Sequence, residues 1–303
     1  SDVAGVYSTQ VGGTLGTFHG KGGTKVQVDG MGVQHASGAA GYMVNGATID
    51  EMTMQTSGIS AESTADGAVV NVIPKQGGNR FSGSLLGLYT NNRLQSDNLN
   101  QKLRDRGLTS VNKNLKIYDA ALTFGGPIKK DKLWFFLVLR QWGNAHTIAS
   151  TYWNKTQGTP FYTPDLDRPA DRYQWFASRA IRISWQASQK NKFNYFSDFQ
   201  DVCICRSSTA IGTAPESANA YHFRGLRPQG LHQITWNSPV TNKLLLEAGF
   251  SAVITSFPSD LAPGVTRNDV SITEQSTGFV YNSRASYNDK QDVPRYTERF
   301  SLS

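Results

Sequence analysis

From residue 81 onward the chain alternates apolar and polar positions with a period of two. Tyr118, Ala120, Leu122 and Phe124 interleave with Asp119, Ala121 and Thr123. Trp175, Ala177, Arg179, Ile181, Ile183 and Trp185 interleave with Gln174, Ser178, Ala180, Arg182 and Ser184. Phe193, Tyr195, Ser197 and Phe199 interleave with Asn194, Phe196, Asp198 and Gln200, and Leu244, Leu246, Ala248, Phe250 and Ala252 keep the same rhythm. Successive side chains of a β-strand point to opposite faces, so each set predicts a strand with one apolar and one mostly polar face. About eight such strands are expected, beginning near Phe81, Lys116, Leu133, Tyr173, Lys192, Leu231, Lys243 and Tyr296. Helical periodicity is scarce, and one short helix is expected over 99–106.

The connections alternate in length. Those at 125–132, 187–191 and 237–242 are short, and those at 91–114, 143–172, 202–229 and 257–293 are long. Short turns at one end and long loops at the other, on strands of about 10 residues, match an outer-membrane β-barrel. Trp142, Trp175, Trp185 and Trp236 lie near strand ends, where interfacial girdles are expected. A soluble sandwich or barrel also alternates and is the competing architecture. Arg179 is the awkward residue of this pattern. On an apolar face at mid-bilayer it costs about 2–4 kcal/mol, so it belongs near an interface, or the local assignment of faces is wrong.

Residues 1–78 have a different texture, small, Gly-rich and nearly free of aromatics. Short β runs are expected at 25–28, 50–56 and 67–74, in a compact α+β or all-β unit. The division expected is therefore 1–78 and 79–303.

Composition narrows the classes further. Of 303 residues, 38% are apolar and 17% charged, with a net charge of +7. Ordinary globular chains run about 45–50% and about 25%. No apolar run reaches the about 20 residues of a transmembrane helix, and the 11% of aromatics argues against disorder. The basic residues are scattered with no nucleic-acid recognition motif, so anionic lipid head groups or lipopolysaccharide suit the charge better than nucleic acid.

Several stretches resemble a known family. Val26-Gln27-Val28-Asp29-Gly30-Met31 is followed by Ile49 to Gly58, then Ser60-Ala61-Glu62, then Gly67 to Lys75 and Gly77 to Ser84. In this order they resemble the C-terminal part of the plug domain of TonB-dependent outer-membrane receptors, running into the first barrel strand. The Oar-like subgroup is the nearest likeness. Phe124-Gly125-Gly126-Pro127-Ile128-Lys129-Lys130-Asp131-Lys132-Leu133-Trp134-Phe135-Phe136 resembles that subgroup's second strand, first periplasmic turn and third strand, and 241–249 resembles a later turn and strand. Gly125-Gly126-Pro127 is expected to break the second strand. The resemblance implies a mainly β fold, a partial plug followed by antiparallel transmembrane strands, about eight of a larger barrel. Plugged transporters have about 22 strands, so the chain looks like an internal piece of a longer receptor. It also implies an outer-membrane location, no enzymatic chemistry, no cofactor, energised uptake of a scarce or large nutrient, and TonB with its inner-membrane complex as partner. The alternative reading is a non-transport surface binding or adhesin-like β protein.

Candidate ligand contacts are the loop aromatics Tyr152, Trp153, Phe161, Tyr162 and Tyr221, with His222. Exposed rings with polar tips suit sugars, peptides or aromatic chelates. Cys203 and Cys205 could form a local disulfide or join His222 in capturing a metal, although zinc sites favour wider spacing and four ligands. The five histidines show no metalloprotease spacing, and 20–25 is only superficially like a phosphate loop. The segment 202–229 is expected outside the cell and 125–132 in the periplasm.

Overall fold

A computed structural model of the chain describes residues 25–34, 42–56, 68–96, 99–106, 110–206, 209–218, 220–223, 229–256, 259–284 and 292–303. His19, His35, the Gly-rich stretch 20–24 and Ser60-Ala61-Glu62 lie outside the described residues.

Two sheets carry the architecture. The small one contains β1 (Lys25–Val28), β2 (Met31–Gly32), β3 (Ile49–Gln55) and β4 (Val69–Pro74), in the order β2-β1-β4-β3. Asp29 and Gly30 join β1 to β2 with φ of 47° and 76°. A two-residue hairpin needs positive φ at both positions, which Asp-Gly supplies.

The large sheet is built from β5 (Ser82–Asn91), β6 (Asn114–Lys129), β7 (Leu133–Asn154), β8 (Pro164–Ser188), β9 (Asn191–Cys205), β11 (Gly230–Thr241), β12 (Leu244–Ile254) and β16 (Arg295–Leu302). Each pairs antiparallel with its neighbour in chain order. Short strands decorate the long-loop end: β10 (Ala220–Phe223), β13 (Ser259–Asp260), β14 (Ile272–Thr273) and β15 (Val280–Tyr281). The helix α1 (Gln101–Asp105) is capped by Asn100, whose side chain accepts from the Leu103 N–H.

The two faces of the large sheet are inverted relative to a soluble protein. Along β8, Phe176, Ser178, Ala180, Arg182 and Ser184 are buried, while Arg179 and Trp185 are exposed and Ile181 and Ile183 half-buried. Ser178, Arg182, Ser184, Asn194, Asp198, Gln200, Gln233 and Ser251 are buried on the inner face. Leu85, Leu122, Phe124, Leu139, Tyr195, Ile234, Phe250 and Phe300 are exposed. Water would penalise that outer face, and lipid would not. Trp175 and Trp185 stand ten residues apart on the outer side of β8. At about 3.3 Å per residue they are about 33 Å apart along the strand. A tilt of about 40° reduces this to about 25 Å, the height of an outer-membrane apolar band.

The small sheet covers the inner face. Val26, Val28, Val33, Tyr42, Val44 and Val72 form one core with Val138, Ala180, Phe196, Leu231 and Val253 of the wall.

Four expectations need correction. β6 does not break at Gly125-Gly126-Pro127, because these residues pair with Phe136, Phe135 and Trp134. A side chain at Gly126 would collide with the Phe81 ring, so this glycine makes room for the stack Phe81–Phe124–Phe135. The long connection expected at 143–172 is mostly strand, with β7 running to Asn154 and β8 starting at Pro164. Trp142 turns inward and stacks on Phe176 at 5.2 Å, so it joins no girdle. Trp185, Phe193 and Trp236 do stack on the outer face near the short turns. Arg179 is neither at an interface nor on the inner face: it points outward four residues from Trp175, near the middle of the band, and pairs with Asp201 at 2.8 Å.

Candidate functional site

The inner face and the segment 42–48 meet through polar contacts that the wall supplies one strand at a time. Alternation puts Ser178 and Arg182 of β8 and Asp198 and Gln200 of β9 on that face. Tyr42 donates its hydroxyl to Asp198 Oδ2 at 2.6 Å, and Ser178 Oγ donates to Asp198 Oδ1 at 2.7 Å. Gln200 Nε2 donates to the Met43 carbonyl at 2.6 Å and to Asp198 Oδ2 at 3.0 Å. Asn45 Nδ2 donates to Ser178 Oγ at 2.8 Å, and Asn45 Oδ1 accepts from Arg140 Nη1 at 3.2 Å. Arg140 is held by Asp119 on β6 through two hydrogen bonds and lies over the Trp142 ring at 4.4 Å. Burial and the adjacent Asp198 carboxylate push the Tyr42 hydroxyl well above its ordinary value, so it stays a donor.

A second set of contacts lies nearer the short turns. Arg182 Nη1 donates to Asp29 Oδ2 at 2.7 Å, and Gln233 Nε2 to the Val28 carbonyl at 2.9 Å. Arg295 Nη1 donates to the Gln34 carbonyl at 2.8 Å. Beside the Asp29-Gly30 hairpin lies a cavity of about 390 Å³, bounded by small-sheet residues and by β8, β9, β11, β12 and β16. The covering sheet is thus fastened by hydrogen bonds and ion pairs rather than by apolar area alone. Such contacts can be exchanged for water at modest net cost, about 0.5–1.5 kcal/mol each.

At the long-loop end the aromatic residues singled out from the sequence fall into two kinds. Trp153 is buried against Ala262 and Val265, with the Arg168 guanidinium 4.8 Å and that of Arg206 5.7 Å from its ring. Tyr162 donates its hydroxyl to the Tyr152 carbonyl at 2.9 Å and packs on Phe279 and Tyr281. Burial, with help from the Glu216 charge, pushes the Tyr162 hydroxyl up to about 12. Phe161, by contrast, is 70% exposed at the tip of the β7–β8 hairpin. Tyr221 and His222 pair through their backbones with Ile204 and Cys203 in β10, and their side chains lie outside the described set. The structure therefore brings Tyr152, Trp153 and Tyr162 together around the hairpin. Cys203 and Cys205 are joined as a disulfide. Among the described residues no group of three or more His, Cys, Asp or Glu could hold a metal.

Sequence reasoning missed Glu216, a buried carboxylate whose Oε1 accepts from the Asn154 N–H at 2.6 Å. It also missed the inner polar set of Asp198, Gln200 and Ser178. Their only signal was a polar strand face, which reads as solvent-facing until something is found to cover it.

No known family model matches the chain. Over 91 residues, 29% of this chain, it is 33% identical to the TonB-dependent transporter Oar of Myxococcus xanthus, and that match covers 8% of Oar. Its fold resembles the outer membrane transporter YddB of Escherichia coli over 94% of this chain, with a TM-score of 0.59 and 13% identity. It also resembles a mutant ferric enterobactin receptor, PfeA, of Pseudomonas aeruginosa in complex with enterobactin, with a TM-score of 0.52 and 12% identity over 92% of this chain. The chain spans 38% of each of these two solved structures. The resemblance read from the sequence is thus shown, in part of the sequence and in nearly all of the described fold. An apolar outer face of this kind is one that lipid satisfies.

Proposed function

We propose that this chain is the partial plug (1–78) and the first barrel wall (79–303) of a TonB-dependent outer-membrane transporter that takes up a scarce or large nutrient. One observation carries the reading most: a small sheet packed on the polar face of a wall whose other face is apolar. A wall that only anchored an adhesin would need no polar lining held by Tyr42, Asn45 and Asp29. TonB and its inner-membrane complex would pull on the plug and exchange those contacts for water, and outer-membrane lipid and lipopolysaccharide would surround the wall. Ligand would be caught at the long-loop end, where Phe161 is free to meet it. Tyr152, Trp153 and Tyr162 would shape that mouth, and Tyr221 and His222 are further candidates for its lining.

The test uses cells carrying the full-length receptor, with uptake and surface level measured together. Uptake should depend on TonB. Phe161→Ala should lower uptake at an unchanged surface level, and Trp153→Ala should lower the surface level. Uptake that persists undiminished without TonB would contradict the reading.

A further inference from the structure

The cavity beside the Asp29-Gly30 hairpin is lined by charges that do not all pair with one another. Three cations line it, Arg182, Lys192 and Arg299, and three carboxylates, Asp29, Asp50 and Glu247. Two pairs cancel: Arg182 with Asp29 at 2.7 Å, and Arg299 with Glu247 at 3.0 Å. Lys192 and Asp50 are left over. The Lys192 ammonium donates to Gln76 Oε1 at 3.1 Å and is in no contact ion pair among the described residues, although the Asp29 charge acts on it. Asp50 stands on the exposed start of β3. Arg182 is 6% exposed, and its Nε is closed off from the cavity, so it acts there through its charge. Asn71, Asn194 and Asn237 add amides that both donate and accept.

We propose that this cavity binds a small zwitterionic solute, an amino acid or the length of a dipeptide. Its carboxylate sits against Lys192 Nζ, and its ammonium faces Asp50. The volume of about 390 Å³ falls in the range of small-molecule sites, about 300–1,000 Å³. A simple anion leaves Asp50 unmatched and a simple cation leaves Lys192 unmatched, so neither fits the residual charges as well. The carboxylate also approaches the guanidinium that holds Asp29, so occupancy weakens the contact fixing the β1–β2 hairpin to the wall. Resting on the transporter reading, the site is a way station on the short-turn side of the plug, and it names the class of solute that passes.

The test is calorimetric titration of the full-length receptor in detergent with diglycine, acetate, ethylamine and N-acetylglycinamide. Diglycine should bind, and the other three should bind at least about tenfold more weakly. Lys192→Gln and Asp50→Asn should each weaken diglycine binding about tenfold or more, and Lys130→Gln, in the exposed turn after β6, should leave it unchanged. Asp50 is exposed, so its variant tests the site even if the Lys192 variant assembles poorly. Acetate binding as tightly as diglycine, or diglycine binding unchanged in the Asp50→Asn protein, would overturn the proposal. TonB-dependent uptake measured in cells keeps the two ideas separable: a chain that fails the titration while its receptor still needs TonB loses the site and keeps the transporter.

Discussion

Single residues decide which contacts hold and which titrate. Asp198 is fully buried with donors from Tyr42, Ser178 and Gln200, so two elements distant in sequence share one carboxylate. Nothing in the sequence marks Asp198 as special, because a polar residue on an alternating strand has a solvated reading by default. Glu216 was equally hidden, in a loop without periodicity. Its carboxyl is raised above the ordinary 4.5, chiefly by burial. A carboxyl raised on folding contributes stability that is fully present below about pH 4.5 and is lost as pH rises through its folded value, when a buried charge must form. The segment that buries Glu216 should therefore open more readily at neutral than at acid pH, although the Asn154 N–H bond itself favours the ionised carboxyl. Hydrogen exchange of the Asn154 amide, corrected for its intrinsic rate, measures this. Glu216→Gln should flatten the dependence. Protection that grows from pH 4.5 to 8 in the unsubstituted chain would reverse the sign and refute the account.

At the scale of elements, the strands were legible where an apolar outer face enforces alternation and illegible where there is none. Ile181, Ile183 and Trp185 against Ser178, Arg182 and Ser184 gave β8 directly. The continuation of β7 and β8 through 143–172 was not visible, because strand beyond the apolar band has no apolar face to keep. β8 has 25 residues, against about 9–11 for a membrane strand. The Gly125-Gly126-Pro127 error had another cause: these residues read as a break, but their small size serves packing against Phe81 and Phe136. The face assignment predicts an asymmetry between the two faces of one strand. Ile181→Arg places a charge near the middle of the apolar band and should cost about 2–4 kcal/mol of stability in bilayers. Ser184→Ala, three residues along on the inner face, removes one hydrogen bond to Asn194, worth about 1 kcal/mol. Unfolding in lipid vesicles of both variants checks this, and equal losses would contradict the assignment of faces.

For the whole molecule, the covering of a polar wall by the small sheet is the feature from which the transporter reading follows. The ordered likeness of 25–136 to a plug running into barrel strands was legible, and the packing of the small sheet on the wall was an expectation from it. The particular contacts depend on residues more than 100 apart in the chain, such as Asn45 with Ser178, and no local pattern encodes them. The most direct measurement is a cysteine cross-link in the outer membrane of intact cells. Asn45→Cys with Ser178→Cys should be joined by a short bifunctional thiol reagent, because the two side chains are in hydrogen-bond contact at 2.8 Å. Asn45→Cys with Ile181→Cys, which puts the second thiol on the outer face, should not. Cross-linking of the 45–178 pair alone is the result the account predicts. No cross-link at 45–178, or an equal one at 45–181, would contradict the placement of the small sheet on the inner wall.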